Sequence, residues 1–412
     1  WLLLASAFVA QACTLIGCGP ATTSTSTSSS TTSTSITTTT TTHFPLYKCH
    51  TPVWLGNAKQ MPRKGICVDD TTFWHCPSKM PGMWPNVKGE YVGSLRLFKP
   101  WSRQWGDDGA RQRAWSSIKT WVEANNAQVL LGTEVTCNSA ADNQMWQWSL
   151  ALIKFLGKDR IMGIAVGNEM DVFFRGKPQS CINELWNTRY WETLQARVAD
   201  IDKLGMADTP ITSVWAMSVM EGTPWKEDGQ AKVNSLVTKA FKKWGKRWVW
   251  SFNVYGVWDA SLYPRSAGDC KAKVSTATHI TYTKSILQAA RKRIKMITGN
   301  DDDTMWVGEN GWSSPMASDH PKFPFCPDYD SLSTFRTAYE SFLTWDMTLD
   351  DGLKGPDWAF YFTMRDSFNG GAGESFGLIR TCTDTTCKLS RQGSATSVKS
   401  PGTNGTRTGM II

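Results

Sequence analysis

The sequence predicts an α/β protein whose main body is one closed (β/α)8 barrel. Eight short apolar, β-branched runs recur between residues 65 and 364, and most of the intervals between them carry apolar residues at helical spacing. That alternation builds a parallel sheet with helices packed outside it. The structural alternative, a doubly wound open sheet, would favour a Gly-rich phosphate turn after the first strand. Here the first run leads into Cys67-Val68-Asp69-Asp70, which is no such turn.

The runs fall at 65–68, 92–98, 128–135, 161–166, 211–216, 248–255, 305–308 and 358–364. Each is short and apolar, as strands buried on both faces should be. Between them, Trp115, Ile118 and Val122 share one helical face, and Leu194, Val198, Ile201 and Gly205 share another. A third stripe joins Ile286, Leu287, Ala290, Ile294 and Ile297. The connection from the first run to the second is the exception, being rich in Pro, Cys and Gly. No internal repeat stands out.

The ends differ in character. Residues 1–20 read as a truncated secretory signal, with an apolar stretch closing on the small-x-small pattern Ala10-Gln11-Ala12. A membrane anchor is the competing reading, but Gln11 and the polar residues after it cut the run short of a span. Residues 21–43 are almost entirely Ser and Thr, a composition with nothing to bury that suits an O-glycosylated stalk. Composition changes abruptly at Phe44, so the barrel domain is assigned to 44–388. The segment 389–412 is a low-complexity tail carrying the sequon Asn404-Gly405-Thr406. The expected location is secreted, or at the cell surface or wall, with no membrane span in the mature chain.

The charge of +8 comes in separate clusters. Lys242, Lys243, Lys246 and Arg247 end a helical pattern, where cations complement the helix dipole. Arg291, Lys292, Arg293 and Lys295 are expected to be solvated around a buried Ile294. No continuous basic stripe forms, so nucleic acid is not the expected partner. The 11 cysteines contain no C-x-x-C pair and the five histidines no close pair, so neither a metal nor any other cofactor is expected. They point instead to an oxidising compartment, with Cys382 and Cys387 near enough in sequence to close a small loop. The 22 tryptophans offer broad faces that serve a core or a sugar ring equally well. The chain is taken as a monomer.

In such a barrel, reactive groups stand where strands end at their C-terminal edge. Two runs place an acid there: the fourth ends Val166-Gly167-Asn168-Glu169 and the seventh ends Val307-Gly308-Glu309. Strands four and seven can both aim side chains at the axial cleft. Two carboxyls in one cleft are what glycoside hydrolysis needs, one to protonate the leaving oxygen and one to attack the anomeric carbon.

Val166-Gly167-Asn168-Glu169 and Val307-Gly308-Glu309-Asn310-Gly311-Trp312-Ser313 resemble the two active-site signatures of glycoside hydrolase family 17, the endo-β-1,3-glucanase and lichenase family. The likeness runs from about residue 65 to 379 and is strong at the strand ends. Ser94-Leu95-Arg96-Leu97-Phe98-Lys99-Pro100 resembles the family's second-strand motif, and Phe252-Asn253-Val254-Tyr255 its sixth-strand Asn-x-Tyr. Phe360-Tyr361-Phe362-Thr363-Met364, leading to Glu374-Ser375-Phe376-Gly377-Leu378, resembles its eighth strand and the glutamate loop beyond.

The resemblance implies a retaining hydrolase with Glu169 as general acid/base, Glu309 as nucleophile and β-glucan as the polymer bound. Asn168 would hold the sugar's 2-hydroxyl, while Arg96 and Tyr255 would keep Glu309 ionised and oriented. Phe98, Trp258 and Trp312 are the candidates for stacking on glucose rings. Asn253 and Glu374 complete the set. The departures are Asn310 and Ser313 flanking Gly-Trp, Phe98 for the family's Tyr, and Ser367 and Asn369 where a Glu and a Lys are common. A transglucosylase on the same intermediate and a non-catalytic glycan-binding wall protein are the alternatives. Gly373-Glu374-Ser375-Phe376-Gly377 matches the serine-hydrolase elbow, but no histidine follows it to serve as base.

Overall fold

The computed structural model describes residues 63–76, 94–124, 127–172, 177–220, 229–316, 322–367, 374–384 and 387–390. The signal, the stalk, the Pro-rich connection after the first run, the sequon, Asn369 and nearly all of the tail lie outside them.

Eight parallel strands close into a barrel, each paired with the next and the eighth with the first. They are β1 (Lys64–Val68), β2 (Ser94–Leu97), β3 (Gln128–Thr133), β4 (Ile161–Asn168), β5 (Ile211–Ala216), β6 (Trp250–Asn253), β7 (Met305–Asn310) and β8 (Trp358–Tyr361). Every expected run holds a strand. β4 and β7 reach two residues beyond their apolar runs, because Asn168 pairs with Val214 and Asn310 with Tyr361. The register shifts at both places, and again at Phe252/Asn253 between β6 and β7. Such irregularities re-aim side chains, and here they fall on the edge that carries Asn168, Asn253 and Glu309.

Helix α1 (Asp70–His75) follows β1, α2 (Asp108–Ala124) follows β2 and α3 (Ser139–Leu156) follows β3. After β4 come α4 (Gln179–Glu184) and α5 (Tyr190–Lys203), joined by one π-helical turn at Leu185–Arg189. Then α6 (Gly229–Trp244) precedes β6, α7 (Cys270–Thr278) and α8 (Ile280–Thr298) precede β7, and α9 (Leu332–Thr344) precedes β8. Trp115, Ile118 and Val122 of α2 are buried, as are Leu194, Val198 and Ile201 of α5. Gly205 does not extend that stripe. It is exposed beyond the helix end with φ of 73°, a left-handed position that lets the chain turn away. Trp101, Trp146, Trp215, Trp248, Trp250 and Trp312 are among the largest fully buried side chains, so much of the tryptophan content is core.

Two further expectations are corrected. Arg291 is not solvated but 0% exposed. It lies on the same face of α8 as Leu287 and Ile294, and its guanidinium donates to the carbonyls of Asp303, Lys354 and Gly355. The fork thereby ties α8 to the segments entering β7 and β8, at the end of the barrel away from the candidate chemistry. Cys382 does not close a loop with Cys387 but bonds Cys76, 306 residues away. Cys387 is disulfide-bonded as well. Cys137–Cys181 and Cys270–Cys326 are two further bridges, and Cys67 is a buried free thiol. Among the described residues, no helix is long and apolar enough to cross a membrane.

Arg291→Leu should lower stability by about 1–3 kcal/mol, since one buried and two part-buried carbonyls lose their donor. Lys292→Leu, one residue on at an exposed position, should stay within about 0.5 kcal/mol. Urea denaturation of the two variants reads the difference, and equal losses would refute the assignment of Arg291 as an internal tie.

Candidate active site

The C-terminal edge of the barrel opens into a cleft of about 350 Å³ lined by Arg96, Phe98, Asn168, Glu169, Glu309 and Glu374 among others. At its centre three donors converge on one carboxylate. Arg96 Nη1 lies 2.9 Å from Glu309 Oε1, Asn253 Nδ2 lies 2.8 Å from the same oxygen, and Tyr255 donates its hydroxyl to Oε2 at 2.6 Å. β2, β6 and the residue two beyond β6 supply them, so the arrangement exists only when the barrel is closed. Arg96 also donates from Nη2 to Asn168 Oδ1 at 2.6 Å and from Nη1 to Asn253 Oδ1 at 3.1 Å. Burial pushes the Tyr255 phenol well above its ordinary range, with the Glu309 charge acting in the same direction, so it remains a donor.

Glycine makes room for this packing. A methyl group on Gly308 would stand 2.5 Å from Val214 Cγ1, 2.7 Å from Asn253 Oδ1 and 3.0 Å from Arg96 Nη1. Gly167, with φ of 81°, lets β4 turn immediately before Asn168 and Glu169. Glu169 itself has φ of 48°, an uncommon conformation for a residue with a side chain. Its backbone N–H donates to Val214 O at 2.7 Å, which anchors the turn to β5.

Asn253 Nδ2 lies 2.8 Å from Glu169 Oε1 as well as 2.8 Å from Glu309 Oε1. One nitrogen therefore bridges the two acids, and these oxygens stand no further apart than twice that distance. The two carboxyls are not equivalent. Glu309 accepts from a cation and two neutral donors, whereas the only donor described for Glu169 is the shared amide. Burial, and then the charge of Glu309, push the Glu169 carboxyl up to about 8.

The other expected residues divide. Phe98 lines the cleft with its ring against the Arg96 guanidinium, 4.4 Å from centroid to cation. Glu374 lines it too and accepts from the Ser367 hydroxyl. Trp258, 41% exposed, packs on Phe376, which in turn meets Tyr255 edge-on. Trp312 is not available for stacking on a ligand. It is 1% exposed, its indole N–H donates to Tyr329 O, and its ring packs on Tyr329. Asp70, Lys99 and Glu134, to which the sequence assigned no role, line the same cleft at the ends of β1, β2 and β3. The signal that marks Glu169, a charged residue just past a strand, was present for all three. Among the described residues, no group of three or more His, Cys, Asp or Glu side chains is placed to hold a metal ion.

No protein-family model matches the sequence, and no curated protein sequence matches it. Solved structures do. One comes from a study of two plant β-glucan endohydrolases with distinct substrate specificities, at 16% identity and a TM-score of 0.52, covering 76% of this chain and 95% of that one. The two share a fold. A glycoside hydrolase family 17 β-1,3-glucanosyltransferase from Rhizomucor miehei is similar at 12% identity and a TM-score of 0.44, over 78% of this chain and 94% of that one. An active-site mutant of a Rhizomucor miehei β-1,3-glucanosyltransferase, in complex with laminaritriose, gives 11% and 0.45, over 79% and 94%.

Glu169 should titrate near pH 8 in a carboxyl-resolved NMR experiment, and Glu309→Gln should lower that midpoint, because the neighbouring charge that raises it is gone. From about pH 4.5 to 8 the folded chain holds a proton that the unfolded chain releases, so this group makes the fold less stable as pH rises through that window. Glu169→Gln should flatten the corresponding slope of stability against pH. An unchanged slope would mean that Glu169 titrates in the ordinary carboxylate range.

Proposed function

We propose that the chain is a retaining glycoside hydrolase of family 17 type, cleaving β-1,3-glucan through a covalent glycosyl-enzyme. The observation that carries this reading is the single amide nitrogen bridging Glu169 and Glu309. An inverting enzyme keeps its carboxyls about 6.5–9.5 Å apart to seat a water, while a retaining enzyme needs about 5–5.5 Å. The bridge supports the closer spacing. The plant β-glucan endohydrolase fold and the motifs at β2, β4, β6, β7 and β8 support the substrate class.

In this mechanism the Glu309 carboxylate, held by Arg96, Asn253 and Tyr255, attacks the anomeric carbon. Glu169, still protonated at neutral pH, gives its proton to the departing glycosidic oxygen. Forming the ester removes the negative charge of Glu309, and with it one cause of the raised Glu169 pKa. Glu169 is left as a carboxylate beside a neutral ester, which suits it to take a proton from the incoming water and release the sugar. Asn168 is the proposed partner of the 2-hydroxyl, and Trp258, 41% exposed with its ring backed by the buried Phe376, the proposed stacking surface. The disulfides, three of them between described residues, support a secreted or cell-surface location.

A soluble β-1,3-glucan such as laminarin should be cleaved, while carboxymethyl-cellulose and mannan should not. Reducing-sugar release confined to mannan or cellulose would defeat the assignment, and products longer than the substrate would identify a transglucosylase instead.

The two glutamates separate by leaving group. Glu169→Ala should cripple cleavage of the natural glucan yet spare much of the glycosylation step with an activated aryl glycoside, whose departure needs no acid. Glu309→Ala should lose both activities by about four orders of magnitude or more, with azide rescuing an inverted product. Equal losses in Glu169→Ala, together with a retained aryl glycosidase in Glu309→Ala, would reverse the roles.

A further inference from the structure

The cleft continues from the two catalytic acids past Phe98 to the ends of β1, β2 and β3, where Asp70, Lys99 and Glu134 form its wall. Lys99 Nζ stands 2.9 Å from Asp70 Oδ2 and 2.5 Å from Glu134 Oε1. The three side chains keep 21%, 20% and 36% of their surface for Lys99, Asp70 and Glu134, so they face the cleft without being sealed in protein. A brace between loops would be complete with one carboxylate. Two carboxylates on one ammonium leave an excess negative charge in a half-buried place, which is unfavourable unless hydrogen-bond donors arrive to meet it. Burial and the charge of Glu134 together outweigh Lys99 and push the Asp70 carboxyl up to about 6, in line with that excess.

Sugar hydroxyls are such donors. A carboxylate has about four acceptor positions and can take two neighbouring hydroxyls, and the ammonium has a third proton for a sugar oxygen. The same charges work against acidic sugars. With Glu169 protonated, four other carboxyl groups line the cleft against the cations of Arg96 and Lys99, although the chain as a whole carries a charge of +8. A partly desolvated cleft with this balance strengthens repulsion between like charges.

We propose that Asp70, Lys99 and Glu134 form a glycan subsite beside the catalytic pair, which grips an uncharged sugar unit through its hydroxyls and discriminates against anionic sugars. The proposal rests on the glycosidase reading of this cleft, and binding measurements test it apart from turnover. The full chain carrying Glu309→Gln would be titrated calorimetrically with laminarihexaose, cellohexaose and mannohexaose, and with the C6-carboxylated form of each.

One neutral hexasaccharide should bind, and its carboxylated form should bind at least about ten-fold more weakly. Adding Asp70→Asn and Glu134→Gln should weaken the neutral ligand about ten-fold and bring the two forms within about two-fold of each other. Glu134→Gln alone, at the most exposed of the three positions, should reduce the discrimination about three-fold and keeps the test open if the double change impairs folding. Unchanged neutral affinity, an unchanged ratio between neutral and carboxylated forms, or binding of no hexasaccharide would each overturn the subsite. The β-1,3-glucan reading fails separately if cellohexaose or mannohexaose binds in place of laminarihexaose, with the charge discrimination then read on that ligand.

Discussion

The guanidinium of Arg96 is 2% exposed, and so buried a cation has to find its counter-charge inside the protein. It finds it in Glu309, and the rest of the cleft follows from that pairing. One nitrogen of the fork reaches Glu309 and Asn253, and the other reaches Asn168. Asn253 then turns its own amide between the two glutamates. Each partner is thus oriented by another partner, and the network resists motion because no member can rotate without leaving a buried polar atom unpaired.

This pairing also sets the asymmetry of the two acids. Glu309 has the cation and the phenol, and Glu169 has neither, so the second acid experiences the first mainly as a charge. Burial, and then that charge, hold the proton on Glu169, so loss of the charge makes the proton easier to give up. Neutralising Glu309 is what the proposed first chemical step does. Geometry and proton affinity are therefore two consequences of one arrangement, and the proposed change of role from acid to base needs no additional group.

The barrel separates these tasks from the work of holding itself together. At the opposite edge, Arg291 gathers the carbonyls of Asp303, Lys354 and Gly355, and Lys64 donates to the carbonyls of Leu343 in the last turn of α9 and of Trp345 just beyond it. Buried cations there satisfy backbone acceptors. The C-terminal edge collects carboxylates and three of the four register shifts in the barrel, features that cost stability and are tolerated where they position reactive groups.

The sequence by itself determined the barrel, because a strand buried on both faces must be apolar along its length and a helix on the outside must be apolar along one stripe. It also marked Glu169 and Glu309, since charged residues one or two positions past a Gly at the ends of such strands have no part in a core. Tertiary structure alone decided which aromatic rings stay exposed: Trp312 and Trp258 read alike in the chain, yet Tyr329 covers the first. It likewise decided that Arg291 points inward. A charge on a buried stripe is normally assigned to solvent, and only the arrival of three carbonyls from distant segments makes its burial tolerable. The same holds for the pairing of Cys76 with Cys382, and for Asp70, Lys99 and Glu134, which three separate βα units bring to one wall. Periodicity is local and survives in the sequence, whereas a partner hundreds of residues away exists only after the barrel has closed.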